Sequence, residues 1–558
     1  MSNTVTGGEL LVRTLQKAGV RQFFGLHGAH LETIFQSCLD HGIPVLDTRH
    51  EVAAGHAAEG YARATRQLGV AMVTAGPGFT NVITSMANAF LDRTPVLYIS
   101  GAAALRDAET NTLQAGIDQV GIARPVTKWA HQVTTVQQIP RLVAQAVRLA
   151  TSGPTGPVLL DMPSDVLGAT VEDGTVAIPE AVYVDSAPAP AHEPVVRALE
   201  LLREARRPVI MAGVGAWQSG CEQELRQFVE ESGIPVFSDF QAHGLLPSAH
   251  PLYGGTFHKM ADLTAEQRPD VILALGVRFG LFTLGSSDRL VPTAARVIHV
   301  EIDPKEIGRL RNVALGIVAD SRETLRALLA HSASTHWPDH GSWSGHIRKL
   351  KATRLQAQAA ATERSAPPIH PYQAVSAVVD GIDEDTIVVA DGAETYHWLN
   401  EVIRQNRAGS YITHGFLGAV GFGMGLALGA QAAHPARRVL CLVGDGAFGF
   451  TMAELDTMVR HALPIVVVIM NNRSWAASQH FQEIVSGAAR VTGTRLSDAR
   501  YHDVAKALGC YSQHVTKIAD LRPAIAAAFA SGKPACLNVE IDLAPLPPEL
   551  GLLMSRHS

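Results

Sequence analysis

Short runs that are apolar at nearly every position recur along the chain, at residues 70–73, 96–100, 158–160, 209–211, 271–275, 297–300, 386–390, 439–443 and 465–470. A strand buried on both faces has no polar side to show, so runs of this kind predict parallel sheets covered by helices. Between them lie stretches with apolar residues at helical spacing, such as 50–65, 81–90, 195–203 and 453–461. The alternation implies βαβ units. Residues 184–194 and 361–371 are rich in proline and alanine without periodicity, as in linkers. The expected fold is α/β, with three doubly wound parallel-sheet domains at 1–183, 194–335 and 368–558. Ligands of such sheets collect beyond the carboxyl ends of the strands.

A length of 558 residues is too great for one hydrophobic core and agrees with three domains. The chain is 47% hydrophobic and 18% charged with a formal net charge of −6, which gives no electrostatic reason to expect nucleic acid or an anionic membrane as partner. The first ten residues lack the layout of a signal peptide, and no apolar run reaches the ~20 residues that span a bilayer. The five cysteines are scattered without a CxxC pair, as expected of buried thiols in a reducing compartment. The expected location is the cytoplasm.

The strongest local chemistry begins at Gly444-Asp445-Gly446, directly after one apolar run, and ends at Asn471-Asn472, directly after the next. A hard divalent cation takes oxygen ligands and commonly shares them with phosphates. Asp445 offers a carboxylate, Asn472 an amide oxygen, and Ser474 a backbone carbonyl. The glycines let the chain approach a diphosphate and aim amides at it. In this pairing of motifs the chain resembles the thiamine-diphosphate-dependent enzymes. The resemblance implies thiamine diphosphate and Mg²⁺ as cofactors. Ala393, Gly444, Gly446, Ala447, Trp475 and Ala476 would contact the cofactor; Gly418 lies in the glycine-rich loop 414–423, and Val420 takes the place of the apolar prop that bends it.

The same resemblance assigns Glu51, in Arg49-His50-Glu51-Val52, as the carboxylate that hydrogen-bonds the aminopyrimidine ring and activates the cofactor. In the family this glutamate comes from the partner subunit, so at least a homodimer is implied, and the family is usually tetrameric.

Over nearly its full length the chain resembles the bacterial benzaldehyde lyases, through Gly25-Leu-His-Gly-Ala-His30, Asn111-Thr-Leu-Gln-Ala-Gly-Ile-Asp-Gln119, Leu315-Gly-Ile-Val-Ala-Asp320 and Arg490-Val-Thr-Gly-Thr-Arg-Leu496. By that resemblance the activity is cleavage of 2-hydroxy ketones (acyloins) to aldehydes and the reverse carboligation. His30 would relay protons beside Ala29, Gln114 would bind substrate and water, His27 and His414 would line the site, and Ala477 would leave room above the cofactor. The pocket departs from that pattern at Ser164 in place of tryptophan, at His397 after the shared Tyr396, and at Gln479 and Glu483, with Phe481 between them. Polar groups in a pocket penalise substrates that cannot pair them. A 2-hydroxyacyl-CoA lyase is therefore a second reading. A 2-oxo acid decarboxylase or acetolactate-type synthase is a third, and a non-catalytic protein that kept the fold is a fourth. Gly213-Val-Gly215 is too short to be a dinucleotide fingerprint, and the resemblance implies no flavin.

Overall fold

The computed structural model describes residues 4–107, 109–285, 287–332, 336–363 and 366–554. Three six-stranded sheets follow one another, each parallel throughout. The first holds β1 (Phe23–Gly25), β2 (Val45–Asp47), β3 (Gly69–Val73), β4 (Val96–Ala102), β5 (Trp129–Gln132) and β6 (Val158–Pro163), in the order β2-β1-β3-β4-β6-β5. The second holds β7 (Pro208–Ala212), β8 (Val236–Ser238), β9 (Tyr253–Thr256), β10 (Val271–Leu275), β11 (Arg296–Glu301) and β12 (Leu315–Val318), ordered β9-β8-β7-β10-β11-β12. The third holds β13 (Ile387–Asp391), β14 (Tyr411–Thr413), β15 (Val439–Gly444), β16 (Val466–Asn471), β17 (Tyr511–Val515) and β18 (Ala535–Glu540), ordered β14-β13-β15-β16-β18-β17. The fold is thus three α/β domains. Each apolar run read from the sequence is a strand whose ends differ by no more than a few residues.

The first and third sheets share one strand order, whereas the second has the order of a dinucleotide-binding sheet. In the shared order the chain reverses direction across the sheet between the first and third strands. The two switch points lie between β1 and β3 and between β13 and β15, and these are where the ligand-binding crevices open.

The helices that position the site are α1 (Glu51–Thr65), α2 (Pro77–Leu91), α3 (Gly341–Thr362), α4 (Pro371–Asp380), α5 (Ala393–Val402), α6 (Gly423–Ala433), α7 (Asp445–Thr451), α8 (Ala476–Ser486) and α9 (Pro548–Met554). Helix α1 is wedged between α2 and α6. A Cβ on Gly55 would lie 1.9 Å from Ser85 Oγ, and one on Gly429 would lie 1.9 Å from the Ala57 carbonyl oxygen. Small residues therefore bring the backbones of the first and third domains into direct contact. One continuous core joins them, from Phe24, Phe79 and Met86 to Met424, Val443 and Phe448. Beneath it Arg63, fully enclosed, pairs with Glu59 and Asp92 and donates to the Thr413 carbonyl. The sequence reading did not foresee helix α3, which precedes the second proline-rich stretch and packs on β9, the edge of the central sheet. No described helix is long and apolar enough to cross a membrane.

Candidate active site

At the switch point of the third sheet, β13 and β15 run side by side and end together, with Asp391 opposite Val443. Asp391 is fully buried and accepts the N–H groups of Gly421 (3.2 Å) and Gly423 (2.8 Å), which pins the loop 414–423 over the strand ends. Burial pushes its pKa up to about 6, against the pull of those amides. Gly418 and Val420 stand on this loop, Gly418 at a φ of 65°.

Asp445 follows β15 as the first residue of α7, and Asn472 follows the neighbouring strand β16. Asp445 is 2% exposed and its pKa is pushed up to about 6 by burial, although the N–H groups of Gly446, Arg473 and Ser474 favour its charged form. Its Oδ2 is buried with no hydrogen-bond partner among the described residues. Asn472 Oδ1 accepts the Ser474 N–H at 3.2 Å. An enclosed carboxylate oxygen without a donor, beside an amide oxygen and the chain turn at Ser474, which a hydrogen bond from the Trp475 N–H to the Thr494 carbonyl (2.8 Å) holds in place, is the donor set a hard divalent cation takes. The turn is also tight enough to need glycine, because a Cβ on Gly446 would lie 2.7 Å from the Trp475 ring. Ala447, Trp475 and Ala476 complete this cradle, and the residues present fit a cation-bound diphosphate.

Helix α5 starts at Ala393 and faces α8. Between them Glu394 pairs with His480 at 2.6 Å, both nearly buried. Burial raises the pKa of Glu394; for His480, burial works against its charged form, but the Glu394 carboxylate outweighs it and raises the pKa. Ser474 Oγ donates to Gln479 Oε1 at 2.8 Å, and Gln479 Nε2 donates to Glu483 Oε1 at 2.9 Å, so the departures at Gln479 and Glu483 form one chain back to the metal loop. Ala477 is half-buried in the same helix and Phe481 is exposed.

His414 is buried against Tyr396, with ring centroids 4.2 Å apart. Burial drives its pKa down to about 4. Its Nδ1 donates to the Gly415 carbonyl at 3.2 Å, leaving Nε2 as the acceptor of a neutral ring. His397 lies 3.5 Å from Glu549 of α9, and His258 of the central domain lies 2.5 Å from the same carboxylate. Burial alone would raise the pKa of Glu549, but the two imidazoles hold it well below the usual carboxylate range.

The switch point of the first sheet gathers the other group. Glu51 is the first residue of α1; its Oε2 accepts from Asn81 Nδ2 at 2.9 Å, and Gly78 lies against its Oε1. His30 Nδ1 meets Thr74 Oγ1 at 3.0 Å, and burial lowers the pKa of its ring. Gln114, at a φ of 64°, packs on Gly76. Glu51, His30 and Gln114 therefore surround the single turn from Thr74 to Gly78. Ser164 opens a short helix that abuts the turn Ala29–Leu31. His27 stands apart, exposed and paired with Glu32 at 2.8 Å. Thr74, Asn81 and His480 escaped the sequence reading as site residues, whereas the segment 391–394, with Glu394, was read as a wall of the cofactor site. The glycines at 76 and 78 directly after β3, with Asn81 one turn on, were the available signal for the first two.

Within one chain the segment before Glu51 is docked on the third domain, through Asp47 with Arg460 (2.5 Å) and His461 (2.9 Å) and the Arg49 amide with Glu454 (3.2 Å). Among the described residues no hydrogen bond joins Glu51 to Asp445, Asn472 or Ser474; the bond it makes is to Asn81.

Comparison with known proteins agrees with this division. Models of the thiamine pyrophosphate enzymes match in chain order: the N-terminal TPP binding domain over 5–122, the central domain over 195–328 and the C-terminal TPP binding domain over 391–539. A probable acetolactate synthase of Mycobacterium bovis and an acetolactate synthase large subunit of Mycobacterium tuberculosis are each 35% identical over 542 residues, 97% of this chain and 96% of theirs. A probable acetolactate synthase large subunit of Methanocaldococcus jannaschii is 30% identical over 568 residues, covering 98% and 94%. These relatives carry the name of the third activity that the sequence left open, not that of benzaldehyde lyase. With matched domains at both switch points and relatives aligned from end to end, the chain belongs to the thiamine-diphosphate-dependent enzymes.

Proposed function

We propose that this chain is a carboligase and lyase that makes and breaks the bond between two carbonyl-derived carbons, with neutral aldehydes and 2-hydroxy ketones as substrates. When bound, thiamine diphosphate would supply, once its acidic carbon has lost a proton, a nucleophile for a substrate carbonyl and an electron sink for the neighbouring bond. Asp445, Asn472 and the Ser474 carbonyl would hold its diphosphate through Mg²⁺, with Gly444, Gly446, Ala447, Trp475 and Ala476 as the cradle and Val420 and Gly418 beneath the ring. Glu51, steadied by Asn81, would bind the aminopyrimidine. His30, kept neutral by partial burial, accepts a proton from a substrate hydroxyl and returns it, and Gln114 orients that hydroxyl.

The observation that carries the substrate class is the charge on the α5–α8 wall. It holds two carboxylates, Glu394 and Glu483, and one of them is offset by His480. Of the cations near the metal loop, Arg473 is turned to Asp498 (2.7 Å) and Glu540 (3.1 Å), while Arg495 is bridged to Ser474 through the backbone. A neutral carbonyl compound meets no repulsion there, whereas the carboxylate of a 2-oxo acid does. The names of the relatives favour a second reading, an acetolactate-type synthase on 2-oxo acids. Assays of the Mg²⁺-loaded holoenzyme with an acyloin, pyruvate and a 2-hydroxyacyl-CoA separate the readings. Cleavage of the acyloin to aldehydes supports the first; acetolactate formation from pyruvate with an inert acyloin overturns it, as does turnover of the thioester alone.

Association of copies fits the same site. Leu113 and Ile117 on the first domain, and Phe450, Phe481, Ile484 and Val485 on the third, are exposed beside the two halves. Apolar surface of this extent is a docking face, and a two-fold dimer that covers both patches would bring one chain's Glu51 to its partner's metal loop.

A further inference from the structure

A cavity of about 810 Å³ lies away from both switch points, between the edge strand β9, the connecting helix α3 and helices α4 and α5. Helix α5 begins directly after β13 at the switch point, and its far end, Asn400 and Glu401, lines the cavity. The seven helical steps from Ala393 to Asn400 span about 10 Å, and none of residues 444–447 or 472–476 lines the cavity, so this is a different compartment. Its size is that of a small-molecule site.

Three side chains in its wall, His243, Thr256 and Asn400, are nearly buried, and His243 Nε2, Thr256 Oγ1 and Asn400 Nδ2 are enclosed without a partner among the described residues. The charges in the wall are unequal in how they are met. Lys259 is paired with Glu401 at 2.7 Å, and Arg354 with Glu401 at 3.0 Å and Asp262 at 2.6 Å. Lys351 instead donates to the carbonyls of Ser248 (3.1 Å) and Tyr253 (3.2 Å) and stands over the Tyr253 ring. Among the described residues no carboxylate is paired with it, and an ammonium with two acceptors has a third N–H to give. Ile347, one turn before it on α3, and Leu350, the residue next to it, face the same space.

We propose that this cavity binds a small organic anion, a carboxylate or phosphate ester, with its charged end on Lys351 and its apolar body along Ile347 and Leu350. The site is independent of the substrate reading given above.

Calorimetric titration of the holoenzyme with hexanoate, hexyl phosphate and hexan-1-ol tests it. One or both anions are expected to saturate at one per chain while the alcohol does not; which anion binds separates the two sources. Lys351→Gln should weaken that binding about tenfold or more, and Glu51→Gln should leave it intact. If Lys351→Gln does not fold, Leu350→Trp, which fills the cavity, takes its place and should abolish binding. Binding of hexan-1-ol as tight as that of the anions, no saturable binding of either anion, or anion binding unchanged in a folded Lys351→Gln or Leu350→Trp protein overturns the proposal.

Discussion

Asn81 donates a 2.9 Å hydrogen bond to Oε2 of Glu51, tying the first turn of α2 to the first residue of α1. The bond fixes one carboxylate oxygen and leaves Oε1 beside Gly78. Replacing Glu51 with Gln keeps the shape and removes the proton-accepting group, so turnover should fall by about 10²–10⁴ with an unchanged circular dichroism spectrum. Asn81→Ala should cost less, about tenfold, because the carboxylate is then loose but present. Steady-state rates of the two variants check both.

The crossing of α1 and α6 is a backbone contact, with Gly429 against the Ala57 carbonyl oxygen. Gly429→Val must force the helices apart and should destabilise the chain by about 1–3 kcal/mol. Chemical denaturation measures that loss, and the interface between first and third domains should open before the central domain unfolds.

His414 gives the fold a pH signature. Its pKa in the folded chain is about 4, below the ~6.5 of an unfolded chain. The unfolded state takes a proton first as pH falls, so the contribution of a neutral His414 is complete above pH ~6.5 and is lost between there and about 4. Against His414→Gln, which does not titrate, the wild-type melting temperature should lose ground on going from pH ~7.5 to ~5. An identical difference at the two pH values would contradict the burial of this ring.

If the wall of α8 turns away carboxylates, Glu483→Gln should raise kcat/KM for pyruvate by about tenfold and change that for a neutral acyloin little. Parallel kinetics on both substrates decide this.

How much of this was legible in the sequence follows from distance along the chain. Asp445 and Asn472 were readable because each ends an apolar run, and two consecutive strands become neighbours in the sheet. Glu51 and His30 were readable through resemblance, but their supports, Asn81 and Thr74, were not, because turn geometry after β3 decides what they touch. The Glu394–His480 and His397–Glu549–His258 contacts join residues from different elements or domains, and no local pattern announces them. Helix α3 was missed because it is weakly amphipathic, with much of its outer surface exposed, and it runs into a stretch rich in proline.

The account rests on Asp445 holding the cation and diphosphate while Glu51 serves the other end of the cofactor. Trp475, stacked on Gly446, is a built-in reporter of that cradle. Titration of metal-free protein with thiamine diphosphate and Mg²⁺, followed by tryptophan fluorescence, should saturate in the wild type only when both are present. It should still saturate in Glu51→Gln and be lost in Asp445→Ala. Unchanged affinity in a folded Asp445→Ala protein would contradict the account.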